Sequence, residues 1–215
     1  MHSTQPAAPP TLLVAALHAE ALPLLRRLQD RHRLGPGLIS GTLAGQRVLI
    51  QRCGVGRRRA ERATAAVIAA HAVGTVVSLG TCGALVDGLG VGTVVTAGSI
   101  LEGDDERLLP LPAVARAVNL ATVPRAVADP EHRARWAARG AEVCEMEAAG
   151  VLDACRDHPF VALKVVSDLA GARPPKVRGL PRWVRITAFQ LRAYRLVDQH
   201  LAPALEAWLR IERRR

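Results

Sequence analysis

Four short segments set polar side chains directly against stretches of apolar sequence. Glu20 comes shortly after residues 11–17 (TLLVAAL), Gly80-Thr81-Cys82-Gly83 follows residues 75–79 (TVVSL), and Ser167-Asp168 ends residues 160–166 (FVALKVV). Continuous apolar runs of this length mark strands buried on both faces. Ligands of open α/β sheets bind near the carboxyl ends of such strands, so a carboxylate or hydroxyl there is placed to meet one. The fourth segment, Glu145-Met146-Glu147, brings two carboxylates, with an apolar side chain between them, to the start of a helix. Each feature also has an ordinary structural reading. Carboxylates suit the positive end of any helix, Asp168 serves equally as a cap, and Glu20 as a solvated helix residue.

The elements that must hold these residues follow from periodicity and punctuation. Residues 20–28 read as a helix with Pro23 in its first turn. Residues 38–43 and 46–51 read as a hairpin turning at Ala44-Gly45. The turn Cys53-Gly54-Val55-Gly56 leads into an Ala-rich helix over about residues 58–72, which Gly74 stops. Residues 80–92 contain five glycines and predict a loop in which backbone closely approaches another group. Residues 93–99 read as a strand, whereas 102–119 are acidic and then Pro-interrupted, with little regular structure expected early on. Helices are predicted at 131–138 and 147–155, a basic Pro/Gly loop at 171–181, and a long helix over about 184–210, with Pro203 marking a kink. Strands alternating with helices predict a three-layer α/β/α domain around a central mixed sheet.

The bulk composition agrees. The chain has 215 residues, 49% hydrophobic and 3% aromatic, which suits one domain with a core of Ala, Val and Leu. Residues 1–10 read as a disordered tail and 11–215 as that single domain. Cys53, Cys82, Cys144 and Cys155 form no C-x-x-C pair and lack a His cluster, which excludes a zinc site of the usual spacing. Their apolar or Gly-rich surroundings fit reduced thiols of a cytoplasmic protein. Residues 63–86 carry no Asp, Glu, Lys or Arg, but glycines and a change of periodicity divide them into a helix and a buried strand. The net charge of +10 is almost wholly arginine, since Lys164 and Lys176 are the two lysines among 29 basic residues. Such a charge attracts polyanions without specificity. Because it is spread over several segments, it reads as the joint enrichment of Ala and Arg that accompanies GC-rich coding.

Taken together and in order, the four segments resemble the 5′-methylthioadenosine/S-adenosylhomocysteine nucleosidases and related nucleoside phosphorylases. The resemblance rests on Ala16-Leu17-His18-Ala19-Glu20, Gly54-Val55-Gly56, Gly80-Thr81-Cys82-Gly83, Val91-Gly92-Thr93-Val94-Val95, Cys144-Glu145-Met146-Glu147-Ala148 and Val165-Val166-Ser167-Asp168. It implies a nucleoside phosphorylase/hydrolase-like fold and a homodimer that cleaves the N-glycosidic bond of a purine nucleoside without cofactor or metal. It also implies roles. Asp168 is the acid that protonates the departing base, oriented by Ser167. Carboxylate charge stabilises the oxocarbenium-like ribosyl centre. Glu147, beside Glu145, accepts hydrogen bonds from the ribose hydroxyls, with Met146 packed under the sugar. Glu20, near Thr81, orients or deprotonates the attacking water. Gly83 lets the base approach the backbone, and Val127 contacts it.

Several departures bear on the substrate. The chain is short between the strand at 93–99 and Glu145, Thr93 stands where the family pattern has Asp, His18-Ala19 replace more acidic residues, and the segment after Asp168 is basic. A pocket trimmed in this way admits a bulkier 5′-group, as in the hopanoid-associated nucleoside phosphorylases, and a basic tail permits peripheral contact with an anionic membrane. Futalosine hydrolase is a third branch. Phosphorolysis is the rival chemistry. Ser78 occupies the position where bacterial phosphorylases of this kind often have an Arg, although Arg52, Arg57 or Arg58 are near enough in sequence to replace it. A non-catalytic basic module would use Arg182, Arg185, Arg192, Arg195 and residues 213–215, but aromatic residues are sparse among them and no nucleic-acid motif is present.

Overall fold

The computed structural model describes residues 8–110, 115–127, 129–169 and 182–213. In chain order the elements are β1 (Thr11–Ala15), α1 (His18–Arg27), β2 (Gln29–Gly35), β3 (Leu38–Leu43), β4 (Gln46–Arg52), α2 (Arg57–Ala70), β5 (Val76–Ala84), β6 (Val94–Glu102), β7 (Asp105–Leu108), β8 (Arg116–Thr122), α3 (Pro130–Ala138), β9 (Val143–Glu145), α4 (Ala148–Ala154), β10 (Phe160–Asp168), α5 (Arg182–Leu196), a π-helical turn (Val197–Leu201) and α6 (Ala202–Glu212). No described helix is long and apolar enough to cross a membrane.

The apolar runs form the centre of a ten-stranded mixed sheet. β1 lies between β4 and β5, parallel to both. β5 is the hub. From Val76 to Gly83 it also pairs in parallel with β10, while Gly83 and Ala84 at its end pair antiparallel with Cys144 and Val143 of β9. β9 continues to β8, β8 to β6, and β6 back to β10, so five strands close a ring at the carboxyl end of β5. On the far side the sheet stays open through β4, β3 and the polar edge strand β2.

Alternating side chains feed two apolar layers. Leu12, Val14 and Val76 pack with Ala60 and Val67 of α2 and with Ala148 and Val151 of α4. Leu13, Ala15, Val77 and Leu79 pack with Ala21 and Leu24 of α1 and with Leu196, Leu205 and Trp208 of the C-terminal helices. Helices therefore cover both faces, as the three-layer reading requires. A third, smaller cluster (Leu85, Leu101, Ala121, Val123, Ala141 and Cys144) draws on β6, β8 and β9 of the ring.

The hairpin turns at Ala44 (φ 51°) and Gly45 (φ 78°), as expected. Four features differ from the sequence reading. Residues 80–84 continue β5 instead of opening a loop, because β10 runs on beside them with Lys164 opposite Gly80 and Asp168 opposite Gly83. β2 has no buried residue and so left no apolar signature. β7 occupies the early part of 102–119, where little regular structure was expected, and β8 follows at its end without having been assigned. The long final helix is two helices joined by the π turn just before Pro203. Proline has no N–H to offer the carbonyl four residues back, and the wider turn lets the Ala202 N–H donate to the Val197 carbonyl five residues back. Ala8–Pro10 carry no secondary structure, yet the Pro10 carbonyl accepts from the Gly74 N–H at 3.0 Å. The rest of the expected tail and the basic loop at 171–181 lie outside the described residues.

Candidate active site

Glu20 sits in the first turn of α1, directly beyond β1, and is 5% exposed. Its carboxylate accepts the backbone N–H of Leu17 at 3.1 Å, the N–H of Thr81 at 2.8 Å and the Thr81 hydroxyl at 3.0 Å. Burial pushes its pKa above the ordinary glutamate value, against the opposing pull of those donors and of Lys164. The fit depends on Gly80, whose φ is +144° and where a Cβ would stand 2.8 Å from Glu20 Oε1. Three residues along β5, a Cβ on Gly83 would lie 3.2 Å from each carboxylate oxygen of Asp168. The close approach expected of these glycines is thus made, in the structure, by the two carboxylates.

Lys164 is the buried cation of the site. It points from β10 into the sheet, 1% exposed, and its ammonium donates to Ser78 Oγ at 2.9 Å and to Glu145 Oε2 at 3.0 Å. Burial opposes its charge, but Glu145, Glu147 and Glu20 together hold its pKa above the ordinary lysine range. The sequence reading did not assign Lys164. Its signal was present nonetheless: a single charge inside the apolar run FVALKVV must find a partner when the strand is buried.

Glu145, at the end of β9, has both oxygens engaged. Besides Lys164 it accepts the Thr122 hydroxyl at 2.8 Å, the Glu147 N–H at 3.0 Å and the Ala148 N–H at 3.0 and 2.9 Å. It therefore satisfies the start of α4, and the structure gives it a supporting place behind Glu147. Glu147 is half-buried, and its Oε1 accepts the Gly56 N–H at 2.7 Å, which ties α4 to the glycine turn before α2. Desolvation first, and then the charge of Glu145, push its pKa up to about 7.

A second group lies along the rim of the ring. Ser167 Oγ is 3.1 Å from the Cys82 carbonyl and 3.0 Å from Asp168 Oδ1. Asp168 Oδ2 meets the guanidinium of Arg133, a buried residue of α3 that the sequence reading passed over among 27 arginines. Met146 and Val127 both pack against the third apolar cluster and form its wall on this side. The structure thus brings Glu20, Thr81, Glu145 and Glu147 together around Lys164. Asp168, Ser167 and Gly83 adjoin them through the paired ends of β5 and β10.

Of the arginines near the glycine turn, Arg57 is committed to Glu61, Glu102 and Asp153. Arg52 Nη1 lies 3.4 Å from His18 Nδ1, and Arg58 is exposed. Lys164, beside Ser78, is already paired. The arrangement offers carboxylates for proton transfer and polar recognition around an apolar wall.

The fold and much of the sequence are shared with known proteins. A 5′-methylthioadenosine/S-adenosylhomocysteine nucleosidase of Shewanella denitrificans is 28% identical over 203 residues, covering 76% of this chain and 87% of the relative. The crystal structure of the Campylobacter jejuni 5′-methylthioadenosine/S-adenosylhomocysteine nucleosidase has the same fold, with a TM-score of 0.78 at 16% identity over 94% of this chain and 99% of that one. A futalosine hydrolase of Helicobacter pylori superposes with a TM-score of 0.74 at 17% identity over 95% of this chain and 100% of that one. The family model described as Phosphorylase superfamily matches residues 11–134, more than half of the sequence, and the chain belongs to that superfamily.

Proposed function

We propose that this chain is a nucleosidase: water cleaves the N-glycosidic bond of a 5′-substituted adenosine, such as methylthioadenosine or S-adenosylhomocysteine, with acid-assisted departure of the base. The observation that carries the reading is the charge of the site. Three glutamates, Glu20, Glu145 and Glu147, surround one lysine whose ammonium is already paired. A neutral water benefits from a nearby carboxylate that takes its proton, whereas a phosphate dianion is repelled by it, increasingly so as the site excludes water. Arg57, which a phosphorylase reading would recruit, is held by three carboxylates.

In this mechanism Asp168 gives its proton to the purine as the glycosidic electron pair passes to the base. Ser167 orients the acid, and Val127 and Met146 supply apolar contact to base and sugar. Glu147 accepts from the ribose hydroxyls and, with Glu145 behind it, lends negative charge to the ribosyl centre. Glu20 takes the proton of the water whose oxygen bonds to the anomeric carbon, with Thr81 fixing its orientation. The likeness to nucleosidases supports the substrate class. Homodimeric assembly and a cytoplasmic location belong to the same reading, as does peripheral contact of the basic C-terminal region with anionic lipid.

The test is incubation with a panel of adenosine derivatives, with and without phosphate, following free base and sugar. Adenine release at an undiminished rate in phosphate-free buffer, a sugar product without 1-phosphate, and near-total loss in Glu20→Gln are expected. Strict phosphate dependence with a ribose-1-phosphate product replaces the hydrolase by a phosphorylase.

A further inference from the structure

We infer that Arg133 is a positioning residue of the reaction, which fixes the carboxyl group of Asp168 and stabilises the carboxylate left when its proton has gone to the base. The inference rests on the reading of Asp168 as the acid. Arg133 is 7% exposed, and each of its three guanidinium nitrogens donates. Nη2 donates to Asp168 Oδ2, Nη1 to the carbonyls of Leu169 at 2.7 Å and Ala84 at 3.2 Å, and Nε to the carbonyl of Val127 at 3.1 Å. A buried arginine with its donors aimed at three carbonyls and a carboxylate cannot rotate away without leaving those acceptors unpaired. The plane of the Asp168 carboxyl is set accordingly. Oδ2 faces the guanidinium and Oδ1 accepts from Ser167 Oγ at 3.0 Å, with both oxygens 3.2 Å from where a Cβ on Gly83 would stand.

Charge gives the contact its chemical meaning. When the base departs, the Asp168 O–H bond breaks, an N–H bond forms on the purine, and the acid becomes an anion. A fixed cation on the other oxygen stabilises that anion at the moment it appears, which is the preorganised form of electrostatic assistance. The same guanidinium holds Val127, on the apolar wall, and Leu169, beside the acid. The wall against the base and the acid that serves it are therefore tied to one side chain.

The experiment compares wild type, R133M, R133K and D168N on two substrates. One is the adenine nucleoside that the wild type cleaves; the other is a riboside of p-nitrophenol, whose phenolate leaves without a proton. R133M should lose about 10- to 100-fold in kcat for adenine release, part of the about 10²–10⁴-fold that general acid catalysis supplies, while p-nitrophenol release stays near wild type. R133K, which keeps the cation without the fork, should recover part of the loss. Nitrophenol turnover also reports that each variant is folded. R133M releasing adenine like wild type overturns the inference, as does equal loss on both substrates, which marks Arg133 as a structural prop only, or an R133K no better than R133M. Undiminished adenine release by D168N overturns the reading of Asp168 itself, and is told apart because it does not involve Arg133.

Discussion

Among single residues, Glu147 makes the sharpest demand on solution conditions. Ribose hydroxyls donate, so the side chain serves them best as a carboxylate, yet burial and the neighbouring Glu145 push its pKa up to about 7. Below that pH the free enzyme holds Glu147 in its neutral form, and kcat/KM should fall by about tenfold per pH unit as the proton is taken up. Glu20 is shifted in the same direction and adds to the acid-side loss. Glu147→Gln should be weak at every pH and should lack the component near 7. A kcat/KM profile in which both proteins bend alike near neutrality removes Glu147 from the ribose contact. Glu20 and Asp168 were legible from their place after apolar runs, and Glu145 and Glu147 from their place at the start of a helix. Their cationic partners were not: Lys164 gives itself away only once its strand is known to be buried, and nothing local separates Arg133 from its neighbours Arg135 and Arg139.

Elements meet at Thr122, the last residue of β8, which joins that strand to the start of α4. Its hydroxyl donates to Glu145 Oε1 at 2.8 Å and accepts the Ala149 N–H at 3.0 Å. Thr122→Val keeps the shape and removes both bonds, leaving a buried N–H without its partner, at a cost of about 1–3 kcal/mol. Urea unfolding should show that loss as a lower midpoint with an unchanged slope; an unchanged midpoint would mean that α4 does not depend on this junction. Periodicity revealed the elements that are apolar on both faces, β1 and β10 among them. It missed β2, whose residues are exposed, and it took the glycines of β5 for a loop. Glycine reports freedom of φ without saying what uses it. Here Gly80 and Gly83 make room for carboxylates beside a strand that continues.

For the molecule as a whole, the closure of β5, β10, β6, β8 and β9 into a ring was not readable, because it depends on pairings between residues as far apart as Phe160 and Val76. Charge separates by scale in the same way. The net +10 is carried largely by exposed arginines, whereas Glu20 and Lys164 are 5% and 1% exposed. Salt screens the first population and hardly reaches the second, since the Debye length shrinks from about 30 Å at about 0.01 M to about 3 Å at about 1 M. Retention on a polyanion such as heparin should therefore collapse across that range. Over the same range kcat/KM for an uncharged nucleoside should change by less than about twofold, because the charges that act on it are buried and near in space. A kcat/KM that fell in step with heparin retention would mean that the surface arginines, not the enclosed carboxylates and Lys164, govern capture of the substrate.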